Sequence, residues 1–210
     1  MLGTNHDFPP IELASKEGIL AIGGDLHPDR LFKAYQDGIF PWYNEGEPIV
    51  WYSPDPRMVL KPNEVYISKS MRKIIRDELF TVTFNKAFKD VLHQCKNIKR
   101  TGQNGTWITD DLEVSMLKLH QMGHAKSVEV WQDDKLVGGL YGIDIGNVFC
   151  GDSMFSSVSN ASKFAFIKLA KKLADKNYKL IDCQVYNEHL ASLGAYEIPR
   201  AEFKKYLPSF

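Results

Sequence analysis

Residues 180–199, LIDCQVYNEHLASLGAYEIP, decide how the rest of the chain is read. The first six predict a short strand that is apolar except for Asp182 and Gln184. Side chains at i and i+2 of a strand share a face, so these two polar groups are expected to point the same way. Burying an acid and an amide side by side is costly unless something partners them. Asn187, Glu188 and His189 crowd the strand's exit, and residues 191–195 read as a compact turn. Two readings stay open on these residues alone: an edge strand whose polar face meets water, or a buried strand that carries chemistry.

The 210 residues suit one large domain or a small one joined to a medium one. An apolar share of 44% is ample for a packed core, which argues against disorder. Lys+Arg and Asp+Glu each total 26, so any nucleic-acid binding must come from a local patch. Cys95, Cys150 and Cys183 lack metal-ligand spacing and suit reduced thiols. The first residues carry no secretion signal, and no apolar run nears the roughly 20 residues that span a bilayer. The expectation is a soluble, cytoplasmic protein.

Residues 1–60 differ in character from the remainder of the chain. Seven of the ten prolines fall from Pro9 to Pro56, which predicts turns and short extended pieces. One helix is expected, opened by Pro28, carrying Leu31, Ala34 and Tyr35, and stopped by Gly38. GIFPWY (38–43) and VWYSPDPR (50–57) are aromatic patches held by prolines. Their tryptophans could stack on a planar ligand or close a small core.

From Val65 the pattern is regular. Ser68 or Ser70 caps a helix carrying Lys69, Arg72, Lys73 and Arg76 on one face, either a solvated surface or a phosphate contact. A strand (80–84), a helix (87–95), a polar loop (98–105) and a helix opened by Thr106–Asp111 and ended by Gly123 come after it. Three strands come next (127–132, 135–141, 147–154), then a helix over 162–175 opened by Asn160, then the strand at Leu180. This order predicts an α+β fold: a small irregular N-terminal lobe over 1–60, and a domain over 61–210 with a mostly antiparallel central sheet. Its topology resembles the GCN5-type acetyltransferases. Those proteins grip a pyrophosphate with a glycine-rich loop, but the matching turn here, Ser156–Ser162 (SSVSNAS), has no glycine. The donor is therefore not expected to be acyl-CoA.

GGDL, GIFPWY, WYSPDPR, GTWIT, GHAKSVEVW, LVGGLYG, FCGDSMFS, NASK and LIDCQVYNEHLASLGAYEIPR together resemble the bacterial leucyl/phenylalanyl-tRNA–protein transferases, collinearly from about Gly18 to Arg200. The resemblance implies an acetyltransferase-like catalytic domain that uses no cofactor and no metal. It implies transfer of Leu or Phe, less readily Met, from aminoacyl-tRNA to proteins beginning with Arg or Lys, creating a degradation signal. It carries a role to each matched position. Asp182 and Gln184 are the catalytic pair. Trp42 and Trp107 flank the donor adenosine. Leu140, Phe149, Met154, Phe166, Leu169, Leu173 and Ile181 form the donor side-chain pocket, although their spacing would serve an ordinary core equally well. Asp152 and Asn187 bind the acceptor. Lys69, Arg72, Lys73 and Arg76 hold the tRNA by its phosphates. A monomer is expected.

Asp152 stands where the family usually has Glu, Leu140 where Met is common, and the chain ends at Phe210, short of the family's tail. Strand parity puts Phe149 and Asp152 on opposite faces, so both line one site only if a bulge near Gly151 intervenes. A neutral amide is a poor base, so Gln184 is expected to orient the incoming amine, with Asp182 holding Gln184. Cys183 faces away from the pair, and no histidine is placed to activate Cys150, which argues against a thioester.

Overall fold

The structure, a computed structural model, describes residues 2, 7–98 and 106–208. Most of the loop expected over 98–105 lies outside the described residues. β1 (Ile19–Ile22), β2 (Phe40–Pro41) and β3 (Val50–Tyr52) form a three-stranded sheet in the order β1-β3-β2. Between the first two, α1 (Pro28–Gln36) begins with Pro28 in its first turn and a cap from His27 to the Asp29 N–H. Gly38, at φ +77°, turns the chain out of it, a conformation that favours glycine. The two aromatic patches divide their labour. Trp51 is fully buried and donates its indole N–H to the Gly23 carbonyl at 2.9 Å, whereas Trp42 is 43% exposed.

β4 (Arg57–Leu60) already belongs to the second sheet. The last four residues given to the N-terminal lobe by sequence are thus an interior strand of the larger one. Its other strands are β5 (Thr81–Phe84), β6 (Ala125–Gln132), β7 (Lys135–Asp144), β8 (Val148–Ser156), β9 (Leu180–Gln184) and β10 (Tyr196–Ile198). They lie in the order β10-β4-β9-β8-β7-β6-β5, antiparallel throughout except for the β8–β9 pair. The domain is α+β with the mostly antiparallel sheet that its element order predicts.

Helices cover both faces. With α1, α3 (Phe88–Asn97) and α4 (Asp110–Gln121) enclose one core around Leu31, Val91, Leu92, Met116 and Leu119. Opposite them, α2 (Lys69–Arg76) and α5 (Ala161–Asp175) enclose the other, with Met71, Phe164, Ala165 and Ile167. The parallel strands β8 and β9 need a crossover, and α5 supplies it. Its first residue follows Asn160 at φ +70°, and the Asn160 side chain makes no capping bond, so Asn160 opens the helix through its backbone alone. The turn expected at 191–195 is preceded by a short helix, α6 (Glu188–Ala191), which Asn187 caps through Leu190 N–H. The tail is ordered into β10 and α7 (Arg200–Phe203).

Two irregularities shape the middle of the sheet. Tyr141 pairs with Ser153 and Gly142 with Gly151, leaving Asp152 as the extra residue of a bulge in β8. A Cβ at Gly142 would lie 2.1 Å from the Cys150 carbonyl oxygen, so this close approach demands glycine. The bulge reverses the parity of the strand. Phe149 and Met154, an odd five residues apart, reach the same core, while Cys150 and Phe155 reach the other. In β9 the pairing with β4 skips Cys183, and Gln184 takes a left-handed φ of +66°. Register between β8 and β9 stops at Cys150–Asp182, beyond which no pairing continues.

Candidate active site

A cleft of about 430 Å³ sits where β8 and β9 part. Because the strands separate there, residues from both faces of the sheet reach it. Its walls bring together Trp42 and Trp107; the apolar residues Leu140, Phe149, Met154, Phe166, Leu169 and Ile181; and the polar residues Asp152, Asp182, Gln184 and Asn187. Of the seven apolar pocket positions named from the sequence, only Leu173 is absent from the walls. It is buried one turn further along α5, within the core. The stripe of Phe166, Leu169 and Leu173 is therefore part pocket and part ordinary core.

Asp182 is wholly buried. β4 and β9 are adjacent interior strands, which excludes the water-facing edge strand. Its charge is met by Arg57 of β4 in a two-pronged pair, Nε to Oδ1 at 2.8 Å and Nη2 to Oδ2 at 2.7 Å. The guanidinium lies between the rings of Phe40 and Phe203, 4.9 and 4.8 Å from their centroids. Planar stacking and a rigid fork are what arginine offers over lysine. Asp182 Oδ1 also accepts the backbone N–H of Gln184 at 2.9 Å. The expectation that Asp182 holds the Gln184 side chain is thus corrected. Asp182 holds the backbone, at the one residue of β9 with positive φ.

The Gln184 side chain turns to Asp152 instead, donating Nε2–H to Oδ1 at 3.1 Å. The same oxygen accepts from the Tyr35 hydroxyl at 2.6 Å. Asp152 Oδ2 is sealed from solvent and has no hydrogen-bond partner among the described residues. Burial pushes the Asp152 carboxyl up to about 7, against the opposing pull of its bonds from Tyr35 and Gln184. A carboxylate cannot donate, so the amide NH2 must face Asp152, and the Gln184 carbonyl oxygen remains to accept from a ligand.

Other groups are quieter. Burial pushes the Cys150 and Cys183 thiols well up, which leaves them protonated and unsuited to attack. His189 lines the cleft, and its pKa is lowered by burial and by Lys163. Asn187 spends its Oδ1 on the α6 cap. Lys69, Arg72, Lys73 and Arg76 are all exposed on α2, outside the cleft.

Sequence reading missed Arg57, Phe40, Phe203 and Tyr35. A signal was present for Arg57: a buried acid requires a cation, and Arg57 sits in an aromatic, proline-framed motif. Tyr35 carried none, since its hydroxyl reaches Asp152 across 117 residues.

The model of the leucyl/phenylalanyl-tRNA protein transferases matches residues 59–208, and that of their N-terminal domain matches 24–55. The chain is 64% identical to a leucyl/phenylalanyl-tRNA–protein transferase of Flavobacterium johnsoniae, covering 96% of this chain and 95% of that protein. It is 57% identical to one from Christiangramia forsetii, covering 98% of each. One from Pseudomonas aeruginosa is 50% identical, covering 99% and 92%. A GCN5-related N-acetyltransferase from Kribbella flavida superposes with a TM-score of 0.41 at 8% identity, over 78% of this chain and 58% of that one, a likeness too distant to bear on function. With both parts matched and relatives aligned over nearly their full length, the chain belongs to the leucyl/phenylalanyl-tRNA–protein transferase family.

Proposed function

We propose that this cleft is the site of an aminoacyltransferase that moves Leu or Phe, and less readily Met, from aminoacyl-tRNA to the N-terminal Arg or Lys of acceptor proteins. The observation that carries this reading is the union in one cleft of two tryptophans, an apolar chamber and an acid–amide pair. The terminal adenine stacks between Trp42 and Trp107, as any base can on an aromatic face. The side chain of the esterified amino acid fills the chamber of Leu140, Phe149, Met154, Phe166, Leu169 and Ile181. Each buried methylene contributes about 0.8 kcal/mol, which favours large apolar side chains over small ones.

The reaction is aminolysis of an ester. The acceptor amine, of pKa about 8 as a free α-amino group, sheds a proton before it attacks. Its nitrogen bonds to the ester carbonyl carbon, the bond from that carbon to the ribose oxygen breaks, and the oxygen takes up a proton. The Gln184 carbonyl oxygen accepts from the amine and aims its lone pair. Asp182 and Arg57 fix the backbone that carries Gln184. Such positioning can supply roughly 7–11 kcal/mol of the barrier reduction.

Asp152 is the one carboxylate lining the cleft, among the described residues, that no cation already meets. It pairs with the Arg or Lys side chain of the acceptor, and the remaining NH2 group of Asn187 meets the peptide. Lys69, Arg72, Lys73 and Arg76 contact tRNA phosphates. The product carries a new N-terminal residue that serves as a degradation signal.

Purified protein mixed with labelled Phe-tRNA and an Arg-starting peptide is expected to yield labelled peptide. A peptide left unlabelled, together with a melting-temperature rise on adding acetyl-CoA, would replace this reading with an acyl-CoA-dependent one.

A further inference from the structure

The chain is neutral overall, but its charge is not evenly placed. Residues 69–78 and 161–179 are α2, α5 and the turns that end them, all on one face of the large sheet. They hold ten of the 26 cations and three of the 26 anions, namely Asp77, Glu78 and Asp175. The remainder is therefore acidic. On the other face, α4 opens with Asp110, Asp111 and Glu113.

The two basic helices are physically joined. Phe80, just beyond α2, packs edge-on against Phe164 of α5 with ring centroids 5.4 Å apart. Lys168 Nζ lies 5.0 Å from the centre of the Phe164 ring, and Lys172 Nζ lies 3.5 Å from that of Phe84 in β5. Lys171 is exposed between them. The Lys172 pKa is lowered by burial and then by the neighbouring Lys176, with Glu129 pulling the other way. The inner side of the same helix lines the cleft through Ser162, Phe166 and Leu169. Lys172 lies three residues beyond Leu169, so the lysine row begins within about 5 Å, along the helix axis, of the chamber wall.

We infer that Lys168, Lys171 and Lys172 of α5 extend the α2 cations into one continuous phosphate-binding face, which holds the duplex stem of the donor tRNA while its 3′ end occupies the cleft. The inference rests on the transfer reading above. Recognition is of shape and phosphate and not of sequence, because side chains cannot read the deep, narrow major groove of an RNA duplex. The Lys168 and Lys172 ammonium groups rest over aromatic rings here, so each leaves its ring to meet a phosphate, whereas Lys171 is already exposed.

The test is a triple variant, Lys168→Gln, Lys171→Gln and Lys172→Gln, with α2 intact. Binding of Phe-tRNA is measured against salt concentration. Each lost phosphate contact reduces the slope of log K against log salt by about 0.7–0.9, so a total fall of roughly two to three is expected for the three lysines. Transfer from phenylalanyl-adenosine, which has no stem, should match wild type. Should the triple variant melt early, Lys171→Gln alone, at an exposed position, should lower the slope by under one. An unchanged slope in these variants overturns the inference, even if wild type transfers from Phe-tRNA normally. Wild type that never transfers, but whose slope falls on substitution, refutes the transfer reading and leaves the phosphate face standing.

Discussion

Asp182 and Asp152 line the same cleft from neighbouring strands, but their surroundings differ in kind. Asp182 is paired with Arg57 by two short bonds, and two aromatic rings exclude water from that pair. Among the described residues Asp152 meets no cation, receives two neutral donors on one oxygen and none on the other, and is pushed up to about 7. The first arrangement fixes a backbone. On the proposed function, the second keeps a charge in reserve for an acceptor that brings its own cation. A site that must hold still and also recognise a guanidinium or ammonium needs one carboxylate of each kind.

Removing the cation of the fixed pair should have the largest effect. Arg57→Ala leaves a buried charge unmet and empties the space between Phe40 and Phe203, and should cost about 3–5 kcal/mol by urea unfolding. A cost below about 1 kcal/mol would mean that Asp182 finds other support. The double replacement Arg57→Met with Asp182→Leu removes both charges together and should recover most of that stability. It should not recover turnover, because the backbone bond to Gln184 is gone. If the double variant is both stable and active, the pair is a packing device and the contrast with Asp152 fails.

Next comes Asp182→Ala alone. Loss of the bond at Gln184 N should lower turnover about a hundredfold, the scale of a 1 Å misplacement near the reacting atoms. Phe-tRNA affinity should be nearly intact, since the tryptophans and the chamber are untouched. Wild-type turnover in a folded variant would remove Asp182 from the mechanism.

Asp152 offers a test of the opposite kind. Its carboxyl must be ionised to pair with an acceptor side chain, and half is protonated near pH 7. The acceptor KM should therefore fall as pH rises through about 7 and level off above 8. Asp152→Asn should abolish that dependence and raise KM for Arg- and Lys-starting peptides roughly ten- to a hundredfold, the equivalent of about 1.5–3 kcal/mol for a hydrogen bond to a charged group. Donor binding should not change. Stability supplies a second readout. The folded pKa lies above the unfolded value of 3.8, so the native state binds more protons than the unfolded one between them. Wild-type stability should accordingly lose a contribution as pH rises from about 4 to 7, and Asp152→Asn should not. An acceptor KM indifferent to both pH and the substitution would return Asp152 to a bracing role.

These contrasts show where sequence reading ends. The order of elements and the mostly antiparallel sheet were legible because periodicity and turn residues are local. So was the need for a bulge, since Phe149 and Asp152 have incompatible parity, and the structure has that bulge at Asp152 itself. The partner of Asp182 was not legible, because the bond joins residues 125 apart through the register of β4 on β9. Nor was the left-handed Gln184, whose conformation accompanies a register slip at Cys183 that no side chain announces. Leu173 failed for a related reason: one helical stripe passes from pocket to core with no change of residue type.

The smallest expected effect belongs to Tyr35, and it separates the two carboxylates most cleanly. Its hydroxyl donates to Asp152 Oδ1 at 2.6 Å and takes no part in the Arg57–Asp182 pair. Tyr35→Phe removes one oxygen from a buried position and keeps the ring, so the stability cost should be about 1 kcal/mol. The bond favours the ionised form of Asp152, and its loss should raise that carboxyl further above about 7. In Tyr35→Phe the fall of the acceptor KM should therefore shift to higher pH, while the value reached at high pH approaches that of wild type. Turnover at saturating acceptor should barely change, since Asp182 and the Gln184 backbone are untouched. A purely structural tyrosine would lower the melting temperature and leave the midpoint where it was. A midpoint that moves, beside a saturating rate that does not, ties Tyr35 to the acceptor through Asp152 alone.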